Sequence, residues 1–202
     1  VGSEMCIRDS LCHIPLLPVT GTPTPGDYCS PFSHERESAA PGYYQVFLDR
    51  YGVDAQLSST LRCAFHKYTY PAGAAASLLA DLQRSNEHVR AWDIRKEGDN
   101  VFAGWQQTGE KMYFYAVANR PVTGIEPVVE GDREVRIVRF GEGDGALELR
   151  IGFSFVSEKN ARENLEAEML GKSFAEVRSE ATATWNDLLG PVSYTHLTLP
   201  TN

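Results

Sequence analysis

Apolar side chains recur at every second position between residues 43 and 70, as they do in antiparallel strands that bury one face. The apolar positions of the first two runs are Tyr44, Val46, Leu48, Val53, Ala55 and Leu57. Gly52 lies between these two runs, and glycine accepts the positive φ that a tight hairpin turn requires. A third run covers residues 61–70 and ends at Pro71. The pattern predicts three short strands joined by turns.

Short segments rich in branched and aromatic residues continue beyond Pro71. They lie at residues 77–82, 89–95, 101–106, 112–118, 134–140 and 147–156. Turn sequences that contain glycine separate them at residues 97–100, 108–109, 130–132 and 141–145. Strands at intervals of roughly ten residues predict an antiparallel β-sandwich. The charged stretch before the first strand, residues 31–40, predicts a loop.

The spacing of apolar residues changes to a helical one after Ser157. Ala161, Leu165 and Met169 recur among charged residues, and Gly171 is a suitable helix stop. Ser173 and Glu176 then have the spacing of a capping box. The second helical stripe consists of Phe174, Val177, Ala181, Trp185, Leu188 and Leu189. This pattern predicts two helices at the C-terminal end of the sandwich.

The net charge of −8 disfavours nucleic acid and anionic membranes as partners. The sequence contains no apolar run of about 20 residues, the length needed for a membrane-spanning helix. Cys12, Cys29 and Cys63 show no CxxC spacing, so they indicate neither a zinc site nor a disulfide framework. Buried thiols are the favoured interpretation, and a Cys12–Cys29 disulfide remains the alternative.

The two ends of the chain read as translations of the transposon adaptors that fragment DNA for sequencing. These segments are residues 1–10 and 192–202, and such sequences are excluded from fold reasoning. We therefore expect the native protein at residues 11–191, as a part of a longer gene product. The sandwich domain is predicted at residues 11–156, and the two helices occupy residues 157–191.

Several sequence motifs resemble one family. FSHERE, PGYY, V-x-L, Y-G-V and F-H-K-Y, followed by a proline, closely resemble the N-terminal domain of glycoside hydrolase family 92. The helical stretch from residue 157 resembles the connector that leads into the catalytic barrel of these exo-acting α-mannosidases. The segment GWQQTGEK is shorter than its counterpart in the family, which weakens any substrate contact expected from that loop.

This resemblance implies a mainly β fold, namely a supersandwich-like antiparallel sandwich followed by two connector helices. It also implies a calcium-dependent, inverting enzyme that removes α-linked mannose and is exported to the periplasm or secreted. In the family, the catalytic acid, the base and the calcium ligands lie mostly in the barrel, which would follow this chain. We therefore expect no catalytic residue and no metal site here. We expect the apolar stripe of the second helix to face the barrel and to be exposed without it, and the alternative is that the helix folds back on its own sandwich and buries these side chains.

Glycoside hydrolysis needs two carboxyl groups on opposite sides of the bond. Glu35 and Glu37 would lie about 7 Å apart on one face of an extended segment, so they cannot flank the bond in this way. They are instead expected to hold Arg36, Arg62 or a backbone amide. Glu35 and Glu37 are also candidates for binding the substrate, together with His34, His66 and Trp105.

His34 and His66 belong to motifs that resemble the family, which implies a position at the cleft between sandwich and barrel. There each imidazole would form a hydrogen bond with a sugar hydroxyl, and the alternative is that each locks a loop or a strand end. Trp105, and with less support Tyr43 and Tyr44, are candidates for stacking on a sugar ring. The alternative for these aromatic residues is a place in the core.

Three functions remain open from the sequence. The first is the N-terminal fragment of a family 92 α-mannosidase, inactive on its own, with a mannose-containing glycan and its own helical barrel as partners. The second is a free-standing carbohydrate-binding module, and the third is a structural or partner-binding sandwich. The predicted connector helices favour the first, because an independent module has no need of a helical tail directed at another domain.

Overall fold

The structure is a computed structural model, and it describes residues 13–143 and 145–194. The described strands are β1 Leu16–Val19, β2 Glu37–Ala40, β3 Tyr43–Leu48, β4 Val53–Ser59, β5 Cys63–Thr69, β6 Ser77–Ala80, β7 Ala91–Gly98, β8 Val101–Gln107, β9 Lys111–Ala118, β10 Val122–Glu130, β11 Arg133–Phe140 and β12 Leu147–Ser154. A 3₁₀ turn at His34–Arg36 precedes β2, and two helices follow the strands, α1 at Glu158–Met169 and α2 at Phe174–Tyr194.

The strands form two antiparallel sheets. The larger sheet has the order β2-β3-β4-β5-β12-β9-β8-β7, and the smaller one has the order β1-β6-β11-β10. The inner face of the larger sheet packs on the smaller sheet, where Phe102 contacts Phe114 on its own sheet and Phe140 on the other one. The predicted β-sandwich is therefore confirmed.

The helices cover part of the outer face of the larger sheet, so this sheet has a second, smaller core. Its buried residues are Tyr43, Cys63, Phe65, Leu165, Met169, Phe174 and Val177. Gly152 of β12 allows this contact, because a Cβ atom there would collide with the carbonyl oxygen of Ala161 in α1. The larger sheet is thus buried on both faces in its central part.

The local signals at the helix ends act as the sequence predicts. Gly171 has φ +76 and follows α1, and the Ser173 hydroxyl accepts from the Glu176 amide at 3.3 Å. The Glu176 carboxylate in turn accepts from the Ser173 amide at 2.8 Å, which completes the capping box. Gly52 has φ +64 in the turn between β3 and β4. Both predicted helices and this hairpin are confirmed.

Three strands were not predicted, and all three lie at sheet edges. β1 and β10 contain Pro18 and Pro127, and proline is tolerated where no neighbouring strand needs its missing N–H. β2 was expected to be a loop, but residues 37–40 pair with β3 in antiparallel register. An edge strand buries little, so its sequence carries no alternating pattern.

The apolar stripe of α2 divides into two parts. Phe174 and Val177 are 6% and 0% exposed because they pack on the outer face of the larger sheet. The expectation that they would be exposed in the absence of a barrel is wrong for these two residues. Trp185, Leu188 and Leu189 are 46%, 65% and 47% exposed, in agreement with that expectation.

Of the thiols within the described residues, Cys63 is buried and Cys29 is exposed, so the expectation of buried thiols holds for Cys63 alone. Cys12, and with it the Cys12–Cys29 alternative, lies outside the described residues, as do residues 1–10 and 195–202. Burial raises the pKa of the Cys63 thiol to about 12. Across residues 13–143 and 145–194, neither helix combines the length and the apolar character needed to span a membrane.

Candidate functional site

A cleft of about 570 Å³ lies at one end of the larger sheet, between the inner face and the exposed part of α2. Four strand residues on one side and two helix residues on the other define it. They are Tyr44, Leu57, Ala64 and His66, facing Trp185 and Leu189. Tyr44, Leu57 and His66 form a row across three neighbouring strands, since Leu57 pairs with both of the others. The cleft thus has an apolar wall and a small number of polar groups, which is the usual composition of a ligand site.

His66 supplies the polar group at the centre of this row. Its Nδ1 lies 2.7 Å from the Tyr68 hydroxyl, and burial lowers the pKa of the imidazole to about 4. The same burial raises the pKa of Tyr68 well above its ordinary value, so both groups are neutral at pH 7. With the imidazole proton on Nε2 the phenol donates to Nδ1, whereas with the proton on Nδ1 the imidazole donates to the phenol oxygen. In both tautomers Tyr68 holds the ring in place and leaves Nε2 as the second polar atom of His66.

Glu37 lies on the same inner face, one strand beyond Tyr44. Its carboxylate accepts a hydrogen bond from the Tyr44 hydroxyl at 2.7 Å and lies 2.6 Å from Nδ1 of His34. These two contacts, first that of Tyr44, lower the pKa of Glu37. Burial and the neighbouring carboxylate raise the pKa of Tyr44 to about 12. Glu37 is therefore an ionised acceptor, and Tyr44 keeps its proton.

The remaining predicted carboxylate, Glu35, is not among the residues that line the cleft. Glu35 lies in the exposed 3₁₀ turn, while Glu37 begins β2, so the two do not share an extended segment. Neither holds an arginine as expected. Arg36 pairs with Asp49, and Arg62 pairs with Glu168 at 2.6 Å. Of the three partners expected for Glu35 and Glu37, which were Arg36, Arg62 or a backbone amide, the two arginines are therefore wrong, and Glu37 contacts Tyr44 and His34 instead.

Trp105 lies on the outer face of β8, whereas His66 faces inward. The ammonium group of Lys111 lies 3.7 Å from the centroid of the Trp105 ring and covers one side of it. Tyr43 is also on the outer face, and the guanidinium of Arg178 lies 3.6 Å from its ring centroid. Of the aromatic candidates, Tyr43 and Tyr44 both line the cleft, and only Tyr44 lies on the same face of the sheet as His66.

Four residues had no such role in the sequence analysis, of which two line the cleft and two support residues near it. Trp185 and Leu189 form its helical wall, although the sequence assigned them only to a stripe that faces another domain. Glu168 of α1 anchors the turn between β4 and β5, where its carboxylate accepts from the Thr60 hydroxyl and from the amide and guanidinium of Arg62. The place of Tyr68 beside His66 could have been predicted from the sequence, because residues i and i+2 of a strand share a face.

Metal-binding side chains do not cluster in the described part of the chain. Within residues 13–143 and 145–194, no three His, Cys, Asp or Glu side chains converge as metal ligands. Calcium usually takes six to eight oxygen ligands, and Glu37 with its two hydrogen-bonded neighbours falls well short of this number. The cleft therefore offers the imidazole of His66, the hydroxyl of Tyr44 with the ionised Glu37 bonded to it, and an apolar wall, which suits the binding of a hydroxyl-rich ligand.

Comparison with known proteins assigns the chain to a family. Residues 2–165 match the glycosyl hydrolase family 92 N-terminal domain. The chain belongs to glycosyl hydrolase family 92. The resemblance seen in the sequence motifs is thereby confirmed, and the matched region covers all twelve strands and part of α1. No curated protein matches the sequence significantly.

Solved family 92 structures share the fold. A family GH92 α-mannosidase of Bacteroides thetaiotaomicron, in complex with mannoimidazole, has a TM-score of 0.80 and 25% identity, over 90% of this chain and 28% of that one. The GH92 glycosyl hydrolase ccman5 has a TM-score of 0.76 and 25% identity, over 88% and 28%. An inverting GH92 mannosidase of B. thetaiotaomicron has a TM-score of 0.73 and 22% identity, over 88% and 26%. The chain spans less than a third of the length of each.

Proposed function

We propose that this family 92 chain is the non-catalytic, carbohydrate-binding N-terminal domain of a calcium-dependent, inverting α-mannosidase that acts on mannose-containing glycans. The observation that carries the proposal is the cleft, in which His66 and Tyr44 face Trp185 and Leu189 of α2, with Glu37 hydrogen-bonded to Tyr44. The relatives support the substrate class, since two are described as mannosidases and one of them holds mannoimidazole.

In this proposal the cleft residues bind and orient the sugar. Nε2 of His66 forms a hydrogen bond with a sugar hydroxyl, and Glu37 accepts from a hydroxyl group while it remains bonded to Tyr44. Leu57 and Trp185 contact the apolar face of the sugar ring. Such contacts position the glycan, and positioning is a substantial part of the rate enhancement in enzymes.

The chemical step requires groups beyond the described part of the chain. Inversion uses an acid and a base on opposite sides of the glycosidic bond. None of the described residues that line the cleft is a carboxylate, and Glu37, which accepts from the lining residue Tyr44, lies on the sheet side. We therefore assign the acid, the base and the calcium ion to a helical barrel that follows α2.

The exposed apolar surface supports a partner domain at this end of the molecule. Trp185, Leu188 and Leu189 are exposed on α2, and Leu61 is 92% exposed in the neighbouring β4–β5 turn. Phe155 and Val156, at the junction of β12 and α1, are 54% and 77% exposed. Large apolar groups clustered on one side of a soluble domain usually mark a contact surface. This surface fits the protein's own barrel.

An activity measurement tests the proposal. We expect the purified chain to release no mannose from a mannose-containing glycan, with or without calcium, and the full native protein to release it with inversion in a calcium-dependent reaction. In the full protein, His66→Ala should lower kcat/KM by about tenfold or more, the loss of one hydrogen bond to substrate. A carbohydrate-binding module is the alternative, and it would be indicated by an inactive full protein that still binds the glycan.

A further inference from the structure

A second recess lies on the opposite face of the larger sheet, between that face and α2. It has a volume of about 810 Å³, within the range of ligand sites in proteins. Gln56, Lys67 and Glu148 form its floor on the adjacent strands β4, β5 and β12. The wall is the side of α2 from Phe174 to Asn186, which is about 18 Å long for an α-helix. We call this recess the helix groove.

The floor of the helix groove consists of polar side chains in a straight row. Gln56 and Glu148 are both in register with Lys67, so the three groups follow one another at the strand spacing of about 4.8 Å. Each is partly buried. The row presents an amide, an ammonium group and a carboxylate, and therefore both donors and acceptors.

Neighbouring residues hold these groups in position. The Gln56 amide donates to Asp54 at 2.9 Å, and the amide of Gln45 donates to the same carboxylate at 2.8 Å. On the helix side, the guanidinium of Arg178 rests on the ring of Tyr43 at 3.6 Å. Side chains that are already ordered lose less entropy when a ligand binds. An ordinary solvated sheet face has no such arrangement of fixed groups inside a recess.

Charges of both signs lie in and beside the helix groove. Lys67 and Arg178 line it as positive groups and Glu148 as a negative one. Asp54, which accepts from Gln56, and Arg150, 3.6 Å from Glu148, add one further group of each sign. A ligand with many hydroxyl groups meets such a surface well, because each hydroxyl both donates and accepts. A phosphate or a carboxylate would pair with the positive groups and leave the negative ones unpaired.

We propose that the helix groove binds a neutral oligosaccharide as a second glycan site. The proposal rests on the proposed function, which supplies the glycan class, and it names a site on the face of the sheet opposite the cleft. Because the sheet separates the two, the sugar in the groove is not the one being cleaved. The groove would instead retain another branch of the glycan, which increases the local concentration of substrate.

Titration of the chain with an α-linked mannotriose tests this site, with calorimetry for affinity and NMR for the residues that respond. We expect binding, with shifts at Gln56 and Lys67. Ser179→Tyr fills the groove from the exposed side of α2 and should weaken affinity by about tenfold or more. Lys67→Met keeps the alkyl chain, removes the ammonium group and should weaken binding as well. Asp187→Tyr, on the same helix outside the groove, is the matched control and should leave affinity unchanged.

His66→Ala separates this proposal from the proposed function, because it alters the cleft and leaves the groove intact. Groove binding should persist in this variant, whether or not the full protein is a mannosidase. Absence of mannotriose binding would overturn the groove proposal, as would binding that is insensitive to Ser179→Tyr and Lys67→Met. Tighter binding of inorganic phosphate than of mannotriose, or of an extended peptide, would also contradict it.

Discussion

At the scale of single residues, burial sets the charge of the imidazole in the cleft. His66 has a pKa of about 4 in the folded chain, against about 6.5 in an unfolded one. Between these two values, only the unfolded chain binds the proton. The stability contributed by neutral His66 is therefore fully present above pH 6.5, and it is lost as the pH falls toward 4.

The pH dependence of stability checks this assignment. Denaturant unfolding at pH 7 and pH 4.5 should show a larger loss for the native chain than for His66→Gln, by on the order of 1–3 kcal/mol. Carboxylates with lowered pKa values, such as Glu37 and Glu168, contribute less to the free energy of unfolding at the lower pH in both proteins. The difference between the two losses therefore reports on His66. Equal losses in the two proteins would show that the imidazole titrates near its ordinary pKa.

The candidate site residues show what a sequence reveals at this scale. His34, Glu37 and His66 stand in motifs, and the structure places His34 against Glu37 and Glu37 one strand from Tyr44. The separation of His66 from Trp105 was not predictable. It depends on the strand register, which determines the face on which each side chain projects.

At the scale of elements, close packing depends on glycine where a helix approaches a strand. α1 contacts β12 at Gly152, where a methyl group would collide with the backbone of Ala161 and with Leu165. The spacing in the sequence predicts α1 well, since its apolar positions are regular. The spacing does not indicate which strand α1 covers, because it reports on the helix itself and not on the segment against which the helix packs.

Gly152→Ala should therefore lower the free energy of unfolding by about 1–3 kcal/mol through overpacking. Gly124→Ala in β10 is the matched control, since no atom lies within 4 Å of the added Cβ, and its effect should remain within about 0.5 kcal/mol. Urea unfolding curves measure both. A neutral Gly152→Ala would mean that α1 lies further from β12 than the structure shows.

At the scale of the whole molecule, one end carries the exposed apolar surface and the cleft. Trp185, Leu188 and Leu189 extend past the sheet, while the first turns of α2 stay docked on it. The apolar side chains of α2 are thus buried on the sheet at the start of the helix and exposed to solvent further along. This arrangement is consistent with a connector between two domains.

Replacing Trp185, Leu188 and Leu189 together with serine should reduce self-association of the chain and leave its stability within about 0.5 kcal/mol. Light scattering and urea unfolding measure the two effects. Val129→Ser removes a lone exposed apolar residue of β10, 63% exposed, and should change neither. A loss of more than about 2 kcal/mol in the triple variant would show that this part of α2 packs on its own sandwich.

Local pattern alone specified the central strands, the β3–β4 hairpin, the two helices and the capping box, because periodicity, glycine conformation and side-chain capping act over a few residues. It also carried the family motifs. Only the tertiary structure decided the edge strands β1, β2 and β10, the division of the α2 stripe, and the meeting of His66 with Tyr44 and Trp185. These features depend on partners distant in the chain, since hydrogen-bonded edges and buried faces exist only once the two sheets and the helices have come together.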